Sequence, residues 1–152
     1  MRAMKWTALC AMAMALGVTL APGATAADSP ALQDEHAIRE ACSGESEAGM
    51  RECLAKRAAD SDKKLKQAEQ KALDAVSKWD EDGKYIRLAR NELQSSGKAF
   101  TQYRKAQCDF AASLGGGAIG NALDMRRFAC EAELNERRAE QLRAAVQDLP
   151  RR

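Results

Sequence analysis

The chain has 152 residues, 30% of them charged, with 24 Lys or Arg set against 22 Asp or Glu and a single histidine. That length admits one ordinary domain, and a net charge of +2 excludes a general nucleic-acid binder, whose affinity needs many unopposed phosphate contacts. One histidine, with no nucleophile elbow, phosphate loop or Cys-x-x-Cys pair, leaves no basis for an enzyme, a metal centre or a cofactor.

In chain order, Arg2 and Lys5 come first, then an apolar run from Trp6 to Leu20, then Pro22, Gly23 and the small residues Ala24-Thr25-Ala26-Ala27. This is the pattern of a cleavable export signal, and cleavage after Ala26 or after Ala27 satisfies the small-x-small rule equally. The apolar run, roughly 15 residues, falls short of the roughly 20 that span a bilayer, and no later segment offers a span. Cys10 belongs to the apolar core of the signal, since Leu9 before it is too bulky for a lipid-anchoring site. Removing residues 1–26 takes Arg2 and Lys5 away, so 22 basic residues face the same 22 acids. The balance is uneven along the chain. Asp28, Asp34, Glu35, Glu40, Glu45, Glu47 and Glu52 stand against only Arg39 and Arg51 in residues 28–53.

Residues 27–44 predict a helical arm, with Ser29 as N-cap before Pro30 and an end near Gly44. From there Leu54, Ala58, Ser61, Leu65, Ala68, Ala72, Val76 and Trp79 recur at spacings of three and four. This is an a/d seam whose alanines let a partner helix approach closely. Asp80-Glu81-Asp82-Gly83 carries turn chemistry and marks a helix reversal. A second stripe runs through Ile86, Ala89, Leu93, Ser96, Phe100, Tyr103, Gln107, Phe110 and Leu114, and stops at Gly115-Gly116-Gly117, which a helix tolerates only at a cost. Asn121, with Asp124 three residues on, predicts the start of the last helix, whose Leu123, Cys130, Leu134, Leu142 and Val146 face the core before Pro150 ends it. The expected fold is all-α, a three-helix antiparallel bundle with a disulfide-linked N-terminal helical arm. Its parts are a signal at 1–26, an arm at 27–44 and a helical domain at 45–149.

With Cys10 assigned to the signal, Cys42, Cys53, Cys108 and Cys130 remain. An even set in an exported chain of this size points to disulfides rather than metal or redox chemistry, and a zinc site from Cys42, Cys53 and His36 is the weaker reading. Of three connectivities, Cys42–Cys53 with Cys108–Cys130 closes short loops, each contributing about 3 kcal/mol on the loop-entropy argument. Cys42–Cys130 with Cys53–Cys108 would instead tie the helices across the bundle.

Several of these residues together resemble a known family. Met50-x-x-Cys53-Leu54, Leu93, Phe100-x-x-Tyr103-Arg104-x-x-x-Cys108, Gly116-Gly117-Ala118-Ile119 and Cys130-x-x-x-Leu134-x-x-x-Arg138-x-x-x-Leu142 are similar, in that order, to the LprI-type lysozyme inhibitor N-terminal domain family. The resemblance covers residues 42 to 145. The chain departs from the pattern at Phe100, where the family usually has tryptophan, and at Lys105, where it has an acid. Lys66 and Glu69 stand where asparagine and tyrosine are expected. The resemblance implies a secreted or periplasmic, disulfide-bonded helical module, with a lysozyme as protein partner and inhibition as the activity.

Animal-type lysozymes are cationic and work through two carboxylates in a cleft, and an acidic rigid loop is a suitable device for covering one. Ser43 to Glu52, inside the Cys42–Cys53 ring, carries Glu45, Glu47 and Glu52 and is preorganised by the bond, which lowers the ordering cost of binding. The competing reading is a solvated helix-entry loop whose glutamates complement the positive helix end. Gly116 and Gly117 form a second candidate surface, or else a flexible linker. Phe100, Tyr103, Arg104 and Arg138 are structural motif residues. An inward Arg104 needs an acidic partner, Asp60 or Asp62, and Arg138 is suited to an interhelical hydrogen bond. A different class of function is an exported scaffold module that pairs with another helix through the alanine-rich seam, since a/d patterns serve coiled coils as well as bundles.

Overall fold

A computed structural model describes residues 32–44, 46–117 and 120–151. The predicted export signal, the predicted Ser29-Pro30 cap and Glu45 therefore lie outside the described residues. The helices are α1 (Glu35–Glu40), α2 (Glu47–Ser77), α3 (Gly83–Ser113) and α4 (Asn121–Val146). The all-α expectation holds: three long helices form the bundle, and the short arm helix docks on it. The only strand-like pairing among the described residues is an isolated bridge between Trp79 and Arg151. No helix among them is long and apolar enough to cross a membrane. The disulfides join Cys42 to Cys53 and Cys108 to Cys130, which is the sequence-local set and occupies the sulfurs that a zinc site would need.

The arm helix starts later than Pro30. Asp34 caps it, its Oδ1 accepting from Ala37 N at 2.8 Å, and Glu35 in the first turn pairs with Arg39 in the last at 2.8 Å, both placed to suit the helix dipole. The amide of Glu35, left without an intrahelical partner by helix geometry, donates to Glu133 Oε2 of α4 at 2.9 Å. Ile38 and Cys42 bury against Leu54 of α2 and Ala129 and Ala132 of α4.

On α2 the predicted seam is realised, with Leu54, Ala58, Ser61, Leu65, Ala68, Ala72 and Val76 all buried. Leu65, Ala68 and Ala72 meet Ala139 and Leu142 of α4, so small side chains on both helices permit a close approach. Trp79, placed on the seam by its spacing, falls beyond the helix end at Ser77. There the chain turns and is met by the C-terminal segment, with Asp80 N donating to Pro150 O at 2.9 Å.

The stripe predicted for α3 is rotated from the face that packs. Cys108, Ala111 and Ala112 are buried; Ile86, Ala89, Leu93, Phe100 and Gln107 are partly so, and Ser96, Tyr103, Phe110 and Leu114 are exposed. The cause is the Cys108–Cys130 bond. It turns residue 108 toward α4, and with it positions three and four residues away, whereas positions five before and two after point to the opposite side at 100° per residue.

The last helix is capped by Gly120 at φ 78°, with no side-chain bond, and Asn121 is its first helical residue rather than its cap. Asp124 is drawn instead to Arg51 at 2.7 Å. Cys130 and Leu142 are buried as expected, and Leu123, Leu134 and Val146 are partly buried. Ala129, Ala132, Asn135 and Ala139 are also buried. In the turn before α4, a Cβ on Gly115 would lie 2.5 Å from Leu123 Cδ2, closer than van der Waals contact allows.

Candidate partner-binding site

The Cys42–Cys53 ring is not the loop its sequence suggested. Residues 41–44 form a turn, Ser46 caps α2 by accepting from Gly49 N at 3.3 Å, and from Glu47 onward the segment is helical. Glu47 lies in the first turn, where its charge favours the positive helix end. Glu52 lies on the following turn. Both are exposed and make no ion pair or hydrogen bond among the described residues. Arg51, the only cation of the ring, is held away from them. Its Nε and Nη2 donate to Asp124 Oδ2 at 3.0 and 2.7 Å, and its Cζ lies 5.6 Å from the centroid of the Phe128 ring. The turn and the helix start, tied by one disulfide, therefore present acid outward with their own cation neutralised by α4. Glu40 adds a third exposed carboxylate, 3.6 Å from His36 Nδ1.

Gly116 and Gly117 sit in the turn after α3, exposed, with φ +60° at Gly116 and open space where a Cβ would stand at either. A cleft of about 390 Å³ lined by Asp34, Glu35, Arg39, Leu114, Arg126 and Glu133 separates the arm from this turn. The side chain of Arg126 also reaches within 3.8 Å of a Cβ position at Gly115. The arm and the C-terminal end of α3, at Ala111 and Leu114, thus border the same cleft.

The motif residues gather elsewhere, midway along the bundle. Arg104 Nη1 donates to Asn135 Oδ1 at 2.5 Å and lies 3.3 Å from Asp62 Oδ1, so Asp62 rather than Asp60 is its acidic partner. Asp60 is taken by Lys56 and Lys63 at 3.1 and 3.3 Å. Asn135 Nδ2 donates to Ser61 Oγ at 2.9 Å, and Ser61 Oγ donates to Ala58 O at 2.7 Å, so a polar chain runs across all three long helices. Hydrogen bonding from Lys66 first, and from Arg104 next, holds the Asp62 carboxyl below the usual carboxylate range against the opposing effect of burial. Lys66, one of the departures from the family pattern, thereby feeds the same network at 2.7 Å from Asp62.

Phe100 is flanked by the guanidinium carbons of Arg104 and Arg138, 5.9 and 5.8 Å from its centroid, a cation–π arrangement. Arg138 also crosses between helices, its Nη2 donating to Ser96 Oγ at 2.6 Å. Tyr103 takes no part, being 54% exposed on the outer side of α3. Lys105 pairs within its own helix with Asp109 at 2.5 Å. Beside the network, Glu131 lines a cleft of about 510 Å³ with Thr101, Arg104 and Arg127. Burial pushes its carboxyl up, and the charges of Arg104 and Arg127 only partly offset this.

Sequence reasoning missed Asn135, the buried hub that joins Ser61 to Arg104. A signal was present, since Phe128, Ala132, Asn135, Ala139 and Leu142 recur at threes and fours and only one of them is polar. A lone polar residue inside an apolar seam is the usual mark of a register-fixing contact.

The family model described as "Lysozyme inhibitor LprI" matches residues 39–142. No curated protein and no solved structure matches.

Proposed function

The chain belongs to the LprI family of lysozyme inhibitors, and from that premise we propose that it is exported and binds and inhibits a lysozyme through the acidic end of its bundle. Residues 1–26 act as the removed signal, and the pair of disulfides suits an oxidising compartment, periplasmic or extracellular. The observation that carries the reading is the exposed pair Glu47 and Glu52 beside the Cys42–Cys53 bond, with Arg51 of the same segment already satisfied by Asp124. Such a surface attracts a cationic enzyme during encounter. Because a disulfide and a helix start hold it in place, little ordering is lost on binding. The protein supplies contact and charge, and the chemistry it stops is the partner's.

Pairing through the alanine-rich seam has no free surface to use, because Ala58, Ala68 and Ala72 are buried within the bundle. The test is turbidity loss of a cell-wall suspension by chicken-type and goose-type lysozymes with the oxidised mature protein added. Slowing at micromolar protein is expected against at least one type. Glu47→Lys with Glu52→Lys then raises the concentration needed by roughly tenfold, the effect of about 1.4 kcal/mol of lost attraction, while Glu92→Lys on α3 leaves it unchanged. No slowing against either type overturns the inhibitory reading, and undiminished potency in the doubly reversed variant moves the surface elsewhere.

A further inference from the structure

At the end of the bundle opposite the acidic segment, α2 and α4 open into a cleft of about 330 Å³. Lys71 and Lys78 of the α2 end, Arg143 of α4 and Arg151 beyond it line this cleft, against Asp74 as its one acid. The floor is apolar, made by Ala68, Ala75 and Val146. Lys71, Ala75 and Lys78 follow one another at four and then three residues, so both ammonium groups rise from one face of the helix on either side of a methyl group. Seven positions of helical rise set their Cα atoms about 10 Å apart, a gap that two flexible four-carbon stems can close. Arg151 is fixed beside them by main chain. Its residue bridges to Trp79, and Asp80 N donates to Pro150 O at 2.9 Å.

The cations of this cleft are not consumed inside the protein. The side chains of Lys71, Lys78 and Arg151 make no ion pair or hydrogen bond among the described residues, although Asp74 stands three residues from Lys71 and four from Lys78, the spacings at which helical ion pairs form. Asp74 accepts instead from Gln70 Nε2 at 2.9 Å, and Arg143 is matched by Glu140 at 2.7 Å. Three unpaired cations against one acid leave an excess of two positive charges. Cations near a helix C-terminus suit its dipole, but that effect fades within the last turn. It accounts for Lys78 and Arg143 and not for Lys71, which lies well over one turn inside α2. We propose that this cleft binds a phosphate-bearing ligand, with the phosphate held between Lys71 and Lys78 above Ala75, Arg151 closing one end, and the uncharged part of the ligand resting on Ala68 and Val146. A phosphomonoester carries close to two negative charges at neutral pH and so matches the excess, where a lone carboxylate leaves half of it unmet. About 45 Å of helix separates Glu47 from Lys78, so the acidic end stays free for a lysozyme while this cleft is filled.

The test follows backbone amide shifts of the oxidised mature protein by NMR as sodium phosphate replaces sodium chloride at constant ionic strength and neutral pH. Saturable shifts confined to residues 71–78 and 146–151 are expected. Lys71→Gln with Lys78→Gln raises the half-saturating concentration by roughly tenfold, as the loss of two exposed charge contacts predicts. Asp74→Asn lowers it several-fold by removing the opposing charge, and Lys98→Gln on α3 leaves it unchanged. All four side chains are exposed, so circular dichroism is expected to be the same for every variant. Flotation with phosphatidylcholine vesicles that contain phosphatidic acid then separates the two sources of the phosphate. Retention that is lost with Lys71→Gln and Lys78→Gln identifies a lipid headgroup, and no retention, with the phosphate shifts in place, identifies a soluble phosphate ester. An absence of saturable shifts on exchanging chloride for phosphate overturns the proposal, as do shifts that survive the double lysine change. The same shifts on raising protein concentration without phosphate overturn it too, because the occupant is then the acidic end of a second copy.

Discussion

Replacing Asn135 with alanine probes the network that holds the three long helices in register. Asn135 is 1% exposed, donates to Ser61 at 2.9 Å and accepts from Arg104 at 2.5 Å. The truncation deletes one neutral hydrogen bond, about 1 kcal/mol, and one to a charged group, about 1.5–3 kcal/mol. Ser61 keeps Ala58 O as acceptor, and Arg104 keeps Asp62, so neither group is orphaned and the charged bond counts at the middle of its range. The expected cost is about 3 kcal/mol, which in a domain of this size lowers Tm by on the order of 10 °C. Urea denaturation of the oxidised protein followed by circular dichroism reads it as a lower midpoint at unchanged slope. In an Arg104→Ala background the same substitution costs only about 1 kcal/mol, because the charged bond is already gone. A loss below about 0.5 kcal/mol, ordinary for a surface position, would refute the reasoning, as would an equal loss in both backgrounds.

Other perturbations separate the remaining contributions. Removing the Cys108–Cys130 bond by double alanine substitution costs about 3 kcal/mol, and removing Cys42–Cys53 costs less by about 0.6 kcal/mol, because its loop is half as long. The sequence separations are 22 and 11, and guanidinium midpoints in the reverse order would show that loop length does not set the ranking. Glu131→Gln tests burial of a carboxylate whose pKa is raised in the folded chain. The folded state then binds the proton more tightly than the unfolded one, so stability is lost as pH rises from the ordinary glutamate range through the raised value. The glutamine variant is therefore expected to melt higher than the unaltered protein at neutral pH and to lose that advantage below the ordinary glutamate range. A lower melting point at neutral pH would mean that Glu131 makes a stabilising contact instead. Asp62 works in the opposite sense. Its depressed pKa adds stability above the ordinary aspartate range that is lost as pH falls through the lowered value, and Asp62→Asn should flatten the acid limb of the stability profile.

Local rules carried far on α2 and poorly on α3. On α2 one unbroken series of small and apolar residues from Leu54 to Val76, spaced by threes and fours, matched the buried face residue for residue, because that helix packs along its whole length. On α3 the apolar residues allowed two faces, one through Phe100 and Ala111 and one through Tyr103 and Phe110, and periodicity weighs them alike. The acidic segment shows the same division. Its charge and its disulfide could be read from composition and cysteine spacing, but the freedom of Glu47 and Glu52 depends on Asp124, a residue of α4, taking Arg51.

By itself, then, the sequence determined the helical class, the acidic bias of residues 28–53, the α2 seam and the choice of short disulfide loops. All of these depend on neighbours within a few turns of chain or on loop length. Tertiary structure alone decided the rotation of α3, the burial of Asn135, the choice of Asp62 over Asp60 for Arg104 and the outward face left on Tyr103 and Phe110. Each of those turns on contacts between residues 31 or more positions apart or on the crosslink at Cys108. The physical reason is that a helix records in its sequence which residues share a face, whereas the choice of face is made by the helix packed against it.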